Sequence, residues 1–159
     1  MTFQAVCSGW ATELQTNVTG LDTTTIPADQ LHLYTPWSVE LGLSSAGGRH
    51  LAVWPEGEPE VVNAATAGGG GGTDLAAQVY NVMVWEDASL DASRLKDDET
   101  AADAWLTLFQ AIRARFYRNA NLQIGSVDTT RYAGGSFDMR AGKRLMQIRF
   151  QTRQFYEFS

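Results

Sequence analysis

The 159-residue chain has the length of one ordinary domain, and its balance of 44% apolar to 19% charged residues is that of a protein that buries a core. A single cysteine, Cys7, excludes an intrachain disulfide and a cysteine-based zinc site. The net charge of −6 argues against a dedicated nucleic-acid binder, which would normally carry a basic stripe.

The opening MTFQAVCSGWATEL has neither a basic start nor a long apolar run, so no signal peptide is expected. No stretch approaches the roughly 20 apolar residues of a membrane span, and the expectation is a soluble protein in a reducing compartment. Phe3, Val6, Cys7, Trp10 and Leu14 recur at helical spacing and predict a first helix from Phe3 to about Val18. Cys7 lies in that apolar pattern as a small core residue. Asn17 to Pro27 reads as turns. A short extended piece follows within Gln30 to Val39, where Pro36 argues against a central strand. Ser44 to Gly48 is a loop, and Leu51 and Val53 mark a strand ended by Pro55.

Next come Glu56, Glu58 and Glu60 among two prolines, then five glycines from Gly68 to Gly72, so a flexible hairpin loop is expected over about 55–75. The glycine run fails as a phosphate loop. Thr73 and Asp74 stand where a lysine and a hydroxyl residue are needed, and the pattern that follows is a strand, not a helix. That strand, LAAQVYNVMVWED, sets Tyr80, Val82 and Val84 on one face and Val79, Asn81, Met83 and Trp85 on the other. With both faces substantially apolar, it is expected to be covered on both sides or to meet a partner chain.

The stretch TAADAWLTLFQAIRARFYRN is the strongest helix, with Ala101, Trp105, Leu108, Phe109, Ile112 and Phe116 in one stripe. Thr100 with Asp103 resembles a capping box, and Asp97, Asp98 and Glu99 suit the positive end of the helix dipole. Arg113, Arg115 and Arg118 suit the other end, and Asn119 and Asn121 are stop residues. In the tail, Met146, Ile148, Phe150 and Thr152 alternate with Gln147, Arg149, Gln151 and Arg153, the pattern of a half-buried antiparallel strand. AGGSFDMRAGK is read as the turn before it, with the partner strand at Val127–Tyr132 or around Phe137. The fold class expected is a single α+β domain, 1–159: an antiparallel sheet packed with two helices.

No catalytic arrangement stands out. His32 and His50 have no nucleophile elbow to serve and read as loop or strand-edge residues. The clustered carboxylates lack the regular oxygen spacing of a calcium loop. No cofactor, no metal and no enzymatic activity are expected. Charge is segregated: residues 1–100 hold 14 Asp/Glu against 3 Lys/Arg, and residues 101–159 hold 4 against 9. The two halves could pair within one fold or between neighbouring copies, and salt bridges to another chain are the preferred reading for the arginines.

The order of elements resembles the tail-terminator family of long-tailed bacteriophages. It runs through a leading helix, HLAVWPE, a loop, QVYNVMVWED, the helix TAADAWLTLFQAIRARFYRN and the strand RLMQIRFQTRQF, over most of the chain. The resemblance is one of element order, without an invariant motif. It implies a structural virion protein of the tail-neck region, made in the host bacterial cytoplasm, that forms a homo-oligomeric ring, a hexamer. Such a ring ends tail-tube polymerisation and joins tail to head. The implied partners are further copies of the chain, the tail-tube protein and the head–tail connector protein. DNA would pass through the lumen without sequence-specific binding, and no membrane is involved. Gly68, Gly69, Gly70, Gly71 and Gly72, with Arg149 and Arg153, are the candidate contact residues. Two alternatives stay open: another neck or head-completion protein, and a small ligand-binding or enzyme-accessory domain with a pocket lined by Trp54, Trp85 and Trp105.

Overall fold

The alternation in the tail and its echo in the middle of the chain build the frame of the molecule. In the computed structural model, residues 3–33, 47–57, 60–64, 72–88, 95–118, 127–140 and 142–158 are described. Strand β4 (Gly72–Asp87) and strand β6 (Lys143–Phe158) pair antiparallel without interruption, from Gly72 opposite Phe158 to Asp87 opposite Lys143. At about 3.3 Å per residue this ladder is roughly 50 Å long. Strand β5 (Val127–Arg140) pairs with β6 on one side. On the other side, β2 (His50–Pro55) and β3 (Glu60–Ala64) share the length of β4, and β1 (Leu31–Leu33) pairs with β2. The sheet order is β1-β2-β4-β6-β5, with β3 also beside β4.

Helices α1 (Phe3–Asn17) and α2 (Leu95–Arg118) bury their stripes against one face of this sheet. Val6, Cys7, Trp10 and Leu14 come from α1; Trp105, Leu108, Phe109, Ile112 and Phe116 from α2. The sheet supplies Leu51, Val53, Tyr80, Val82, Val84, Met146, Ile148 and Phe150. Trp10 sits at the junction, its ring 4.4 Å from Phe116 and 5.5 Å from Phe150. Cys7 is fully enclosed there, and burial pushes its thiol up to about 12, which removes it as a nucleophile at neutral pH. The α+β class with two helices on one sheet is the architecture observed.

Four expectations change in detail. The β1–β2 pair is parallel, so the sheet is mixed; the 34–49 segment between the two strands leaves room for the crossover that parallel pairing requires. The 55–75 stretch is not one loop, because β3 forms inside it and β4 already begins at Gly72. α2 starts at Leu95, which puts Thr100 in the helix body and leaves it no capping role. Asn119 and Asn121 lie outside the described residues, and the helix ends at Arg118.

The fourth change concerns the glycines before the tail. Gly134 and Gly135 lie within β5 and do not form the turn, which is made instead between Arg140 and Lys143 with Gly142 at φ +74°. The register shifts between Tyr132 and Gly134, where Gly134 has φ +125°, so the glycine serves a β-bulge. Gly135 is required by packing: a Cβ there would stand 2.6 Å from the Phe109 ring. Both regions considered for the partner strand, Val127–Tyr132 and the segment around Phe137, belong to this one strand.

Candidate interaction surfaces

The helix-free face of the sheet carries the arginines singled out from sequence. Arg149 and Arg153 are exposed on β6, opposite Asn81 and Ala77 of β4. Arg149 donates to Glu56 from Nε (2.8 Å) and from an Nη (3.0 Å), a bidentate pair that occupies its guanidinium within the chain. Glu56 also accepts from Asn81 (3.2 Å), whose own Oδ1 accepts from Gln147 (2.7 Å). The Arg149 hydrogen bonds hold the Glu56 carboxyl below the usual carboxylate range. Arg153 has no ion-pair partner among the described residues, and neither does Arg131, exposed on β5 opposite Gln151 and on the same face. Of the glycine run, Gly68, Gly69, Gly70 and Gly71 lie outside the described residues. Gly72 is the first residue of β4, paired opposite Phe158.

Toward the other end of this face, Ala52, Trp54, Met83, Trp85 and Leu145 form a second buried cluster. The apolar second face expected of β4 is therefore real. The three tryptophans of the ligand-pocket alternative are divided: Trp54 and Trp85 belong to this cluster, whereas Trp105 packs in the helical core. Beside Trp85 lie the two histidines. His50 Nε2 is 3.1 Å from the Gly47 carbonyl, which can only accept, so Nε2 donates there, while His50 Nδ1 lies 3.0 Å from His32 Nε2. Burial, and then the charge of His50, hold His32 below the usual histidine value. His50 opens β2, a strand flanked by β1 and β4, and is buried where a loop or edge residue was expected; its ring stacks on Trp85 at 5.1 Å.

The segregated charges meet inside the fold. Arg115 pairs with Glu13, Lys143 with Asp87, Arg149 with Glu56, and Arg144 stands 3.9 Å from Glu86. Each joins a cation of the second half to a carboxylate of the first. These arginines are engaged within the chain, contrary to the preference for bridges to another chain, because the β4–β6 ladder lays the two halves side by side and Arg115 of α2 reaches Glu13 of α1.

The surface that sequence reading missed is the flank formed by α2 and β5. Among the described residues, the large apolar side chains left exposed are Leu106 and Tyr117 of α2 and Phe137 and Met139 of β5. Leu106, Phe137 and Met139, with Ala88, Ala102, Trp105 and Leu145, line an open groove of about 620 Å³. Farther along, Tyr117 lies 6.3 Å from Tyr132, and Arg113 stacks over Tyr132 and Phe109. β5 pairs only with β6 among the described residues, so this flank also carries an open strand edge. The alternation of Phe137 and Met139 was a usable strand signal, masked by the neighbouring glycines.

Fold and surfaces together describe a two-layer α+β domain with an open apolar flank. Among the described residues, no group of three or more His, Cys, Asp or Glu side chains is placed to hold a metal ion, and no helix is long and apolar enough to cross a membrane. No protein-family model and no curated protein matches the chain. Among solved structures, it is similar to a chain of one described as "Virion of native gene transfer agent (GTA) particle", at 13% identity and a TM-score of 0.49, covering 98% of this chain and 100% of that one.

Proposed function

We propose that this protein is a structural subunit of a long-tailed phage virion or phage-like particle: a tail terminator. It closes into a ring of six copies on the end of the tail tube, stops tube growth and offers a surface to the head–tail connector. DNA passes through the lumen without sequence recognition. The observation that carries the reading is the α2–β5 flank. Exposed aromatic and aliphatic side chains beside an open strand edge mark a surface made to be covered by protein. The reading rests further on the resemblance drawn from the sequence, in which a leading helix, two strands, a second helix and a terminal strand follow in that order. Gly68–Gly72 and the Arg149/Arg153 strand face are the proposed contacts to tube and connector. Arg153, without an internal ion pair among the described residues, is the stronger contributor of the two arginines.

The test is tube growth in vitro. Purified tail-tube protein is polymerised with and without this chain and imaged by negative-stain electron microscopy. Short tubes bearing a terminal ring are expected. Tube lengths unchanged by excess chain, with no ring at their ends, would remove the tail-terminator reading.

A further inference from the structure

We infer that in the free chain β5 pairs edge to edge with β5 of a second copy, in a two-fold antiparallel contact centred on Gly135. The contact concerns the chain before assembly; it does not depend on the virion reading, and it opens before the same flank meets a ring neighbour. It follows from the register of β5 and the chemistry of its exposed side chains.

In an antiparallel pair, residues directly opposite share a face of the sheet. The register with β6 fixes the faces of β5. Tyr132, Gly135, Phe137 and Met139 lie opposite Phe150, Ile148, Met146 and Arg144, on the helix-covered face. Arg131, Gly134, Ser136 and Asp138 lie opposite Gln151, Arg149, Gln147 and Leu145, on the helix-free face. Ala133 is the residue that the bulge leaves out of the ladder.

Placing a two-fold axis at Gly135 then sets Gly134 opposite Ser136 of the second copy, Tyr132 opposite Phe137, and Arg131 opposite Asp138. Every opposed pair falls on one common face. The match depends on the bulge: counted straight along the sequence, the faces would disagree. Each pair occurs twice across the axis, giving two aromatic pairs and two opposite-charge pairs, combinations that stabilise cross-strand contacts.

The rest of the flank fits the same operation. Along β5, Tyr117 and Tyr132 lie on one side of the axis, and the groove of Leu106, Phe137 and Met139 on the other. The two-fold therefore carries the tyrosine patch of each copy toward the groove of its mate. A surface that complements itself in this way is the requirement of an isologous dimer. Arg131 has no ion-pair partner among the described residues. The Asp138 pair with Arg140 is 3.3 Å long with both side chains more than half exposed, so Asp138 is cheaply redirected. The product is one continuous sheet through both copies with no open β5 edge.

Sedimentation velocity on the full chain over a dilution series, supported by native mass spectrometry, tests the contact. A reversible dimer is expected for the wild type. R131D and D138R each place like charges opposite one another twice, and each should weaken the dimer about tenfold or more. The decisive sample is their mixture. In a heterodimer of R131D with D138R both contacts again join opposite charges, so heterodimers should form in preference to either homodimer; the double variant R131D/D138R should dimerise like the wild type. Because both positions are exposed, unchanged thermal melts are expected throughout at concentrations below the dimer range, where association no longer contributes to stability. A wild type that stays monomeric, single variants that dimerise unimpaired, or a mixture without heterodimer preference would each overturn the proposal. These outcomes are independent of tube capping, which tests the virion reading separately.

Discussion

At the scale of single residues, glycines 134 and 135 show how one residue type serves two ends. Gly134 supplies a backbone conformation, φ +125°, that L side chains rarely adopt, while Gly135 supplies an absence of atoms beneath Phe109. Substituting Gly135 by valine forces the ring aside in a packed layer where Phe109 also meets Phe137 at 4.8 Å. The expected loss is roughly 1–3 kcal/mol, read as a lower thermal midpoint. Combining G135V with F109L should recover part of it, since the smaller side chain vacates the space. A G135V protein as stable as the wild type would mean that Phe109 does not press on this strand. Sequence alone offered no such distinction, because a pair of glycines beside a serine is also the composition of a turn.

At the scale of elements, the 16-residue strands β4 and β6 set the register of everything else. Their alternation was readable: Met146, Ile148, Phe150 and Thr152 point into the core, at 0–1% exposure. α1 and α2 were readable for the same reason, since a 3.6-residue period selects one stripe, and Val6, Cys7, Trp10 and Leu14 of α1 and Trp105, Leu108, Phe109, Ile112 and Phe116 of α2 are buried. β3 was not. Its five residues EVVNA are too few to show a period, and glycines nearby suggested slack chain. With β3 paired to β4, the connection between them is reduced to 65–71, a hairpin linker. Cutting Gly68–Gly71 to two glycines should therefore change stability by less than about 1 kcal/mol, because closure entropy varies slowly with loop length. Chemical denaturation measures this directly. A collapse of stability would show that the glycines make contacts the hairpin needs, and would end the reading of a simple linker.

At the scale of the whole molecule, the charge asymmetry acts as internal complementarity. Arg149 and Lys143 lower the pKa values of Glu56 and Asp87 through their hydrogen bonds. A carboxyl whose folded pKa is depressed adds stability above its unfolded pKa and loses it as pH falls through the folded value. Ordinary values near 4 therefore place the loss in the acid limb, below about pH 4.5. R149A should lower stability at pH 7 by only roughly 0.2–1 kcal/mol, since Arg149 and Glu56 are each more than 40% exposed. The gap between wild type and R149A should then narrow as Glu56 protonates. Thermal melts from pH 7 to pH 3 decide it: a gap that stays constant into acid would mean the pair is not what Arg149 contributes.

By itself the sequence determined the local periods: two amphipathic helices, one long alternating strand, a second with two apolar faces, and a strong imbalance of charge between the halves. Those are properties of near neighbours along the chain, fixed by side-chain geometry over one or two turns or a few strand residues. Only the tertiary structure decided what each period faces. It joined Glu56 to Arg149, stacked His50 on Trp85, divided the three tryptophans, and left Leu106, Tyr117, Phe137 and Met139 on one open flank. Strand register is the physical reason, because a shift of one residue would send every side chain of β5 to the opposite face, and register is set by partners far away in the chain.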